Sequence, residues 1–298
     1  MASKLISNSK PRLACEISAD RVLAGRVSER GDIIEMCAAT DLPAGSVVPD
    51  LTEANLRERS GVCDKIRQTL GDVSGRSKDV IAVLPDAAVR VMLLDFESLP
   101  AKKDEAEGVV RFRLKKSLPF DVDKSRVSYQ PQPATTGVRV IAAVALTSVI
   151  EEYEAAFRDA GFAPGVVLPS MLAALGAANT DRPTLVVKVD ARTISIAILD
   201  KQQLLLFRIL ENTRGSTISG EQLAEEIYPS IVFFQDTYNL NIEQIFVAGL
   251  ADAANALPAL KAQTTADVSE LVSGSMLGSS VGSIPTWRMA GVVGALLS

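Results

Sequence analysis

Two stretches of the chain share one alternation of apolar and polar positions. In the first, residues 12–17 read as a short apolar strand, 18–21 as a turn, 22–28 as a second strand, and 29–32 as a polar turn into a third strand over 33–38. In the second, 184–190 reads as a buried strand that ends on Asp190. A tight turn at 191–193 leads into the alternating Ile194, Ile196 and Ile198, and 200–203 reverses the chain into the apolar run 204–210. Each meander carries a carboxylate at the end of its first strand, Glu16 in one and Asp190 in the other. Each is followed by a helical pattern and a further strand. After the first, Leu56, Cys63, Ile66 and Leu70 share a face of a helix expected from about Thr52 to Gly71, and 80–84 is a strand closed by Pro85. After the second, Leu223, Ile227, Ile231 and Phe234 mark a helix over 221–238, which Pro229 is expected to kink or restart. The strand 244–248, a turn at Gly249 and a helix over 250–260 follow. The repetition predicts a duplicated α/β unit.

Residues 86–164 interrupt the first unit with strands at 89–96, 127–129 and 138–146, a charged helix over 101–117 and a helix over 148–160 stopped by Gly161. The expected division is 1–85 with 165–180 as the first unit, 86–164 as an inserted α+β module, and 181–298 as the second unit. A helix over 169–178 returns the chain to the first unit, and 271–283, rich in Ser and Gly, reads as an exposed, mobile loop before a closing helix begun by Pro285. On the charged helix, Val109, Phe112 and Lys116 share a face. Arg111, Arg113, Lys115 and Lys116 cluster in its last turn, where cations suit the helix dipole; the cluster reads as either a solvated turn or a partner-binding face.

Composition narrows the chemistry. A chain of 298 residues, 47% hydrophobic, can bury full cores, and no apolar run nears the roughly 18 residues of a membrane helix. The first ten residues lack the apolar segment of a signal peptide, so a cytosolic protein is expected. A net charge of −5, from 31 basic and 36 acidic residues, argues against broad nucleic-acid binding. The absence of histidine excludes Ser-His-Asp and Cys-His catalysis and histidine metal sites. Three scattered cysteines make no disulfide frame or zinc knuckle, and Cys15 and Cys37 read as core residues. No catalytic residue and no metal site emerges.

Two meander-led halves, an acid at the first bend of each, and the turn Val247-Ala248-Gly249-Leu250 opening a late helix resemble the actin/hexokinase/Hsp70 ATPase fold, built of duplicated actin-like (ribonuclease H-like) domains. Residues 107–129, containing Leu118-Pro119-Phe120-Asp121-Val122-Asp123, resemble the PilM-like type IV pilus assembly proteins. So do residues 157–174, and Leu223-Ala224-Glu225-Glu226-Ile227 with residues 230–235. FtsA and the cytoplasmic domain of GspL share this architecture. FtsA-type anchoring is not expected, because 290–298 is apolar without a basic amphipathic tail.

The resemblance implies a cytoplasmic adaptor of the pilus machine, held at the inner face of the inner membrane through partners, with no direct membrane insertion and no nucleic acid. The implied ligand is the N-terminal cytoplasmic peptide of a PilN-like membrane protein, in a groove between the first unit and the inserted module, alongside other inner-membrane assembly components. Phe112, Leu118 and Phe120 are then candidate walls and Arg111 and Lys115 candidate rim groups, with core packing of Phe112 and Phe120 as the competing reading. The alternatives are a nucleotide-gated actin-like ATPase and a GspL-like scaffold of type II secretion. A small-molecule kinase of the superfamily would need an aspartate base at the cleft, and Asp181 and Asp236 fall in a linker and on a helix.

In that superfamily the bends hold phosphates and metal-bound water. ATP with magnesium would then lie at Glu16, Ser18, Asp190 and Arg192, with Thr193, Glu226 and Gly249 beside them. The family's bends read Asp-x-Gly-[Ser/Ala], in which glycine lets backbone N–H groups meet the phosphate. Here the bends read Glu16-Ile17-Ser18-Ala19 and Asp190-Ala191-Arg192-Thr193, and the late turn keeps one glycine, Gly249. The expectation is weak or absent nucleotide binding, no cofactor and no hydrolysis. Arg192 is expected either to grip phosphate or to pair with Asp190 or Glu16 in a vacated cleft.

Overall fold

The chain begins as an antiparallel meander, β1 (Leu13–Ile17), β2 (Arg21–Val27) and β3 (Ile34–Asp41), and continues through α1 (Arg59–Val73) to β4 (Asp79–Leu84). The computed structural model describes residues 10–134, 136–282 and 284–298. Next come β5 (Arg90–Phe96), α2 (Lys103–Leu114), β6 (Ser125–Pro133), β7 (Val138–Leu146) and α3 (Thr147–Asp159). Then β8 (Ala163–Pro169) and α4 (Ser170–Ala174) lead to a second meander, β9 (Thr184–Val189), β10 (Thr193–Asp200) and β11 (Gln203–Glu211). The chain closes with α5 (Gly220–Tyr238), β12 (Gln244–Ala248), α6 (Ala253–Ala262), β13 (Asp267–Glu270) and α7 (Ala290–Leu297).

The strands form three sheets, ordered β3-β2-β1-β4-β8, β11-β10-β9-β12-β13 and β5-β7-β6. The first two share one topology. In each, a meander supplies three antiparallel strands, and crossovers add two strands parallel to the first. Both faces of these sheets are covered, which is why β1, β9 and β10 read as near-continuous apolar runs. Ile17, Val22, Val62, Ile66 and Phe157 build the core between the first sheet and α1 and α3, and Leu185, Ile196, Leu223 and Phe234 build its counterpart under α5 and α6. A third cluster joins the inner faces of the two sheets through Met171 and Ala174 of α4 and Val292, Val293 and Leu296 of α7. The small sheet packs its own core of Val140, Ala142 and Val144 against Val110 and Leu114 of α2.

Several element boundaries differ from the sequence reading because tertiary contacts override local pattern. Helix α1 starts at Arg59 rather than near Thr52. The preceding residues are held instead by the Asp50 carboxylate, which accepts from the Thr52 and Glu53 amides, and by Glu152, which accepts from the amides of Asn55 and Leu56. Strand β6 spans nine residues because β7 pairs with its whole length. Helix α5 runs unbroken through Pro229, started by a reciprocal Ser219–Gln222 capping box. The serine- and glycine-rich stretch after β13 is not an exposed loop throughout. Leu271, Val272 and Val281 are buried, and the Gly278 amide donates to the Ile34 carbonyl, so these apolar residues dock the stretch against the first sheet.

Candidate functional site

The ends of β1 and β9 face each other across the interface of the two halves, and a cluster of buried charge lies between them. Glu16, the fourth residue of β1, is 2% exposed; its Oε1 accepts from the Ser170 hydroxyl and lies 3.4 Å from Lys188 Nζ. Lys188 is the one charged residue of β9 and is itself buried, and its ammonium pairs closely with Asp190 Oδ2. Asp86 follows β4 and is also buried. Its Oδ1 accepts from the Met171 amide at 2.8 Å, and its Oδ2 accepts from the Ser195 hydroxyl of β10 at 2.7 Å. Arg21 closes the far side, bonded to Asp20 at 3.0 Å with Nη2 4.0 Å from Asp190 Oδ1. Gly291 of α7 makes room for the cluster. A Cβ there would come within 2.8 Å of the Glu16 carboxylate.

Three carboxyl groups, from Glu16, Asp86 and Asp190, thus surround one ammonium. Burial alone would lower the pKa of Lys188, but Asp190, Glu16 and Asp86 outweigh it and hold the group above its ordinary value, charged at all moderate pH. Asp86 behaves in the opposite sense. Burial pushes its carboxyl up to about 6, and nearby Asp190 adds to this, while Lys188 and the bonds from Met171 and Ser195 oppose it. The cluster therefore ties β1 and β4 of one half to β9 and β10 of the other through an internal cation.

A magnesium nucleotide does not fit this arrangement. The cavity lined by Glu16, Ser18, Asp190, Arg192 and Thr193 measures about 20 Å³, room for one water, whereas small-molecule sites occupy about 300–1,000 Å³. The groups that would cradle phosphate are engaged elsewhere. The Ser18 hydroxyl donates to Asp20 at 2.7 Å, the Asp190 amide to the Thr193 carbonyl at 2.8 Å, and the Gly249 amide to the Trp287 carbonyl at 2.9 Å. Gly249, at φ 85°, serves close packing, since a Cβ there would lie 1.7 Å from the Val189 carbonyl oxygen. No group of three or more potential ligands poised for a metal occurs among the described residues.

The structure brings Glu16, Ser18, Asp190, Arg192 and Thr193 to one cavity and leaves Glu226 apart, on α5, where it pairs with Arg214 at 3.5 Å. Arg192 is exposed at the cavity mouth and does not fill the cleft. Lys188 fills it, because its side chain points inward from a buried strand whereas Arg192 sits on the turn. Lys188, Asp86, Ser170 and Ser195 escaped the sequence reading. The signal for Lys188 was present: a single charge inside the apolar run 185–189 must find a buried partner.

A second concavity, of about 280 Å³, separates the small sheet from the first unit. Its walls are Val127 of β6, Ala143 and Ala145 of β7, Ile150 of α3 and Val167 of β8, and the ion pair of Arg126 with Glu154 stands at its rim. The side chains singled out on and after α2 lie elsewhere. Phe112 is 66% exposed on the outer face of α2, with the Lys116 ammonium 5.5 Å from its ring centroid. Leu118 and Phe120 pack on the core of the small sheet. Lys115 pairs with Asp123 at 2.7 Å, and Arg111 pairs with Glu107 and donates to the carbonyls of Val122 and Ser125.

No protein-family model matches the sequence. No curated protein matches it either. Solved structures do. A chain of the PilM–PilN type IV pilus biogenesis complex is 19% identical, with a TM-score of 0.78 over 96% of this chain and 97% of that one. The cytoplasmic domain of EpsL, an inner membrane component of the type II secretion system of Vibrio cholerae, is 9% identical, with a TM-score of 0.52 over 89% of this chain and 98% of that one. A Bacteroides thetaiotaomicron protein with an actin-like ATPase fold and unknown function is 12% identical, with a TM-score of 0.53 over 86% and 89% of the two chains. The duplicated five-stranded sheets, the meander bends that face each other and these likenesses together establish that the chain has the actin-like ATPase fold.

Proposed function

We propose that this chain is a scaffold of type IV pilus assembly that binds the N-terminal cytoplasmic peptide of a PilN-like membrane protein and has weak or lost nucleotide binding. It works in the cytoplasm at the inner face of the inner membrane, held there by that partner and in contact with other inner-membrane assembly components. The observation that carries the reading is the apolar concavity between the small sheet and the first unit, in a chain whose fold matches that of the PilM–PilN complex over nearly its whole length. A groove with aliphatic walls and one ion pair at its rim suits an apolar peptide with a polar end. The type II secretion reading draws on the EpsL likeness, and the much higher TM-score of the pilus complex favours the pilus.

The test is fluorescence anisotropy with a labelled synthetic peptide of the PilN-like partner's cytoplasmic N-terminus. Val167→Glu, which puts a charge into the concavity, is expected to weaken binding about tenfold or more, while Phe112→Ala binds as wild type. The reverse pattern assigns the peptide to the outer face of α2 and overturns the assigned groove; absence of binding to the wild type overturns the function.

Nucleotide binding is tested by thermal unfolding. Millimolar Mg-ATP is expected to leave the melting temperature unchanged, because a ligand can stabilise only a fold that has space for it. A rise of several degrees, lost in Asp190→Ala, would restore the nucleotide-gated ATPase reading.

A further inference from the structure

Strand β6 is an outer strand of the small sheet, paired with β7 on one side only. Its backbone orientation follows from its prolines. Pro131 and Pro133 stand opposite Val140 and Val138, and a proline, having no N–H, occupies a position whose amide faces away from the neighbouring strand. The two-residue period then turns the N–H and C=O groups of Val127 and Tyr129 outward as well. Ser125, at the same spacing, agrees: its carbonyl accepts from the Arg111 guanidinium of α2 at 3.3 Å, on the side away from β7. The edge is therefore closed at one end by Arg111 and at the other by Pro131. Between them, Val127 and Tyr129 are left open among the described residues, where exposed strand edges are normally blocked.

A cavity lies on each face of this open segment. On one face is the concavity against Ile150 and Val167, with Arg126 and Glu154 at its rim. On the other, a cavity of about 570 Å³ lies under the start of α2, with Pro100, Ala101 and Tyr129 as apolar lining and Lys103 and Glu107 beside them. Val127 and Ser128 border both. Successive side chains of a strand point to opposite faces, so a strand laid along this edge would send one residue into each cavity in turn.

We propose that the open edge of β6 takes the partner segment as a fourth strand of the small sheet. The occupant is an extended peptide with two or more adjacent apolar residues, one for each cavity, and polar flanks that meet the charged rims. The backbone of Val127 and Tyr129 supplies the pairing, and the cavities supply side-chain selection. This rests on the peptide-scaffold reading above and adds the mode of binding, the second cavity and the sequence class of the ligand.

The experiment uses the full chain and the same labelled partner peptide. Val127→Pro removes the outward N–H in the manner of Pro131, and Val127→Ala is the control that trims the side chain but keeps the N–H. Val127→Pro is expected to bind at least about tenfold more weakly than Val127→Ala. Independently of any protein variant, N-methylating the peptide backbone one residue at a time is expected to weaken binding at every second position within the apolar run and to spare those between. Equal binding by the two variants together with no alternation in the N-methyl series overturns strand addition while leaving the scaffold reading intact. Failure of the unmodified peptide to bind overturns both.

Discussion

Lys188→Met is expected to lower the free energy of unfolding by about 3–5 kcal/mol at pH 7, read from urea denaturation. The substitution keeps the length and apolar stem of the side chain and removes only the charge. What remains is three carboxyl groups, Glu16, Asp86 and Asp190, buried in the interface without the ammonium that lay among them, with Arg21 Nη2 4.0 Å from Asp190. Breaking one member of a buried ion cluster costs far more than the cluster contributes relative to an apolar replacement. The folded-state pKa of Lys188 is raised above its ordinary 10.5, so its contribution is complete below that value and is lost only as the pH climbs past it. The deficit at pH 7 is accordingly the full one. Adding Glu16→Gln and Asp190→Asn to Lys188→Met is expected to recover part of the loss, because two of the three carboxylates left without their ammonium are then neutral. A single variant as stable as the wild type would show that Lys188 does not hold the halves together.

The second large effect depends on pH. Asp86 has a folded-state pKa of about 6 against an ordinary 3.8, so between these values the folded protein binds a proton that the unfolded chain has released. Stability from this group therefore falls as pH rises from about 4 to about 6, by about 3 kcal/mol in total, and is regained on acidification. Lys188 and Asp190 face the group from the β9 side, Ser195 from β10 and the Met171 amide from α4. An asparagine can keep both hydrogen bonds, accepting from Met171 and donating to Ser195, but cannot titrate. The stability of Asp86→Asn relative to the wild type is thus expected to rise by about 3 kcal/mol between pH 4 and pH 7. Other carboxyl groups impose their own slopes on both proteins, and the difference between the two curves removes them. Parallel curves would mean that Asp86 is ionised throughout the folded range.

The opposing expectations for Lys188 and Asp86 come from one arrangement. Here a lysine from the second half reaches the glutamate of the first.

Much of this was legible in the chain. The period-two runs at 12–38 and 184–210 located both meanders, and the recurrence of acid, bend and polar turn in each announced the duplication, because strand periodicity and turn chemistry are local properties. Loss of the glycines at the bends was equally plain, since it is a matter of residue type. The start of α1 was not legible, as it depends on Glu152 reaching back from α3 to the amides of Asn55 and Leu56. Nor was the docking of the Ser/Gly-rich stretch, where three scattered apolar residues outweigh a loop-like composition. Phe112 and Phe120 could not be told apart by type. One faces solvent and the other packs inward according to helix phase and the turn at Pro119.

By itself the sequence determined the order of elements, the repeated meander with an acid at its bend, the insertion of a small sheet, and the absence of histidine chemistry. Tertiary structure alone decided what the acids face. Glu16 and Lys188 lie in different halves, and only the packing of the two sheets on α4 and α7 brings the ammonium of one beside the carboxylate of the other. The reason is physical: strand and turn propensities act over a few residues and survive in any context. The pairing of buried charges, and the edge left open on β6, are set by which surfaces meet when the chain has folded.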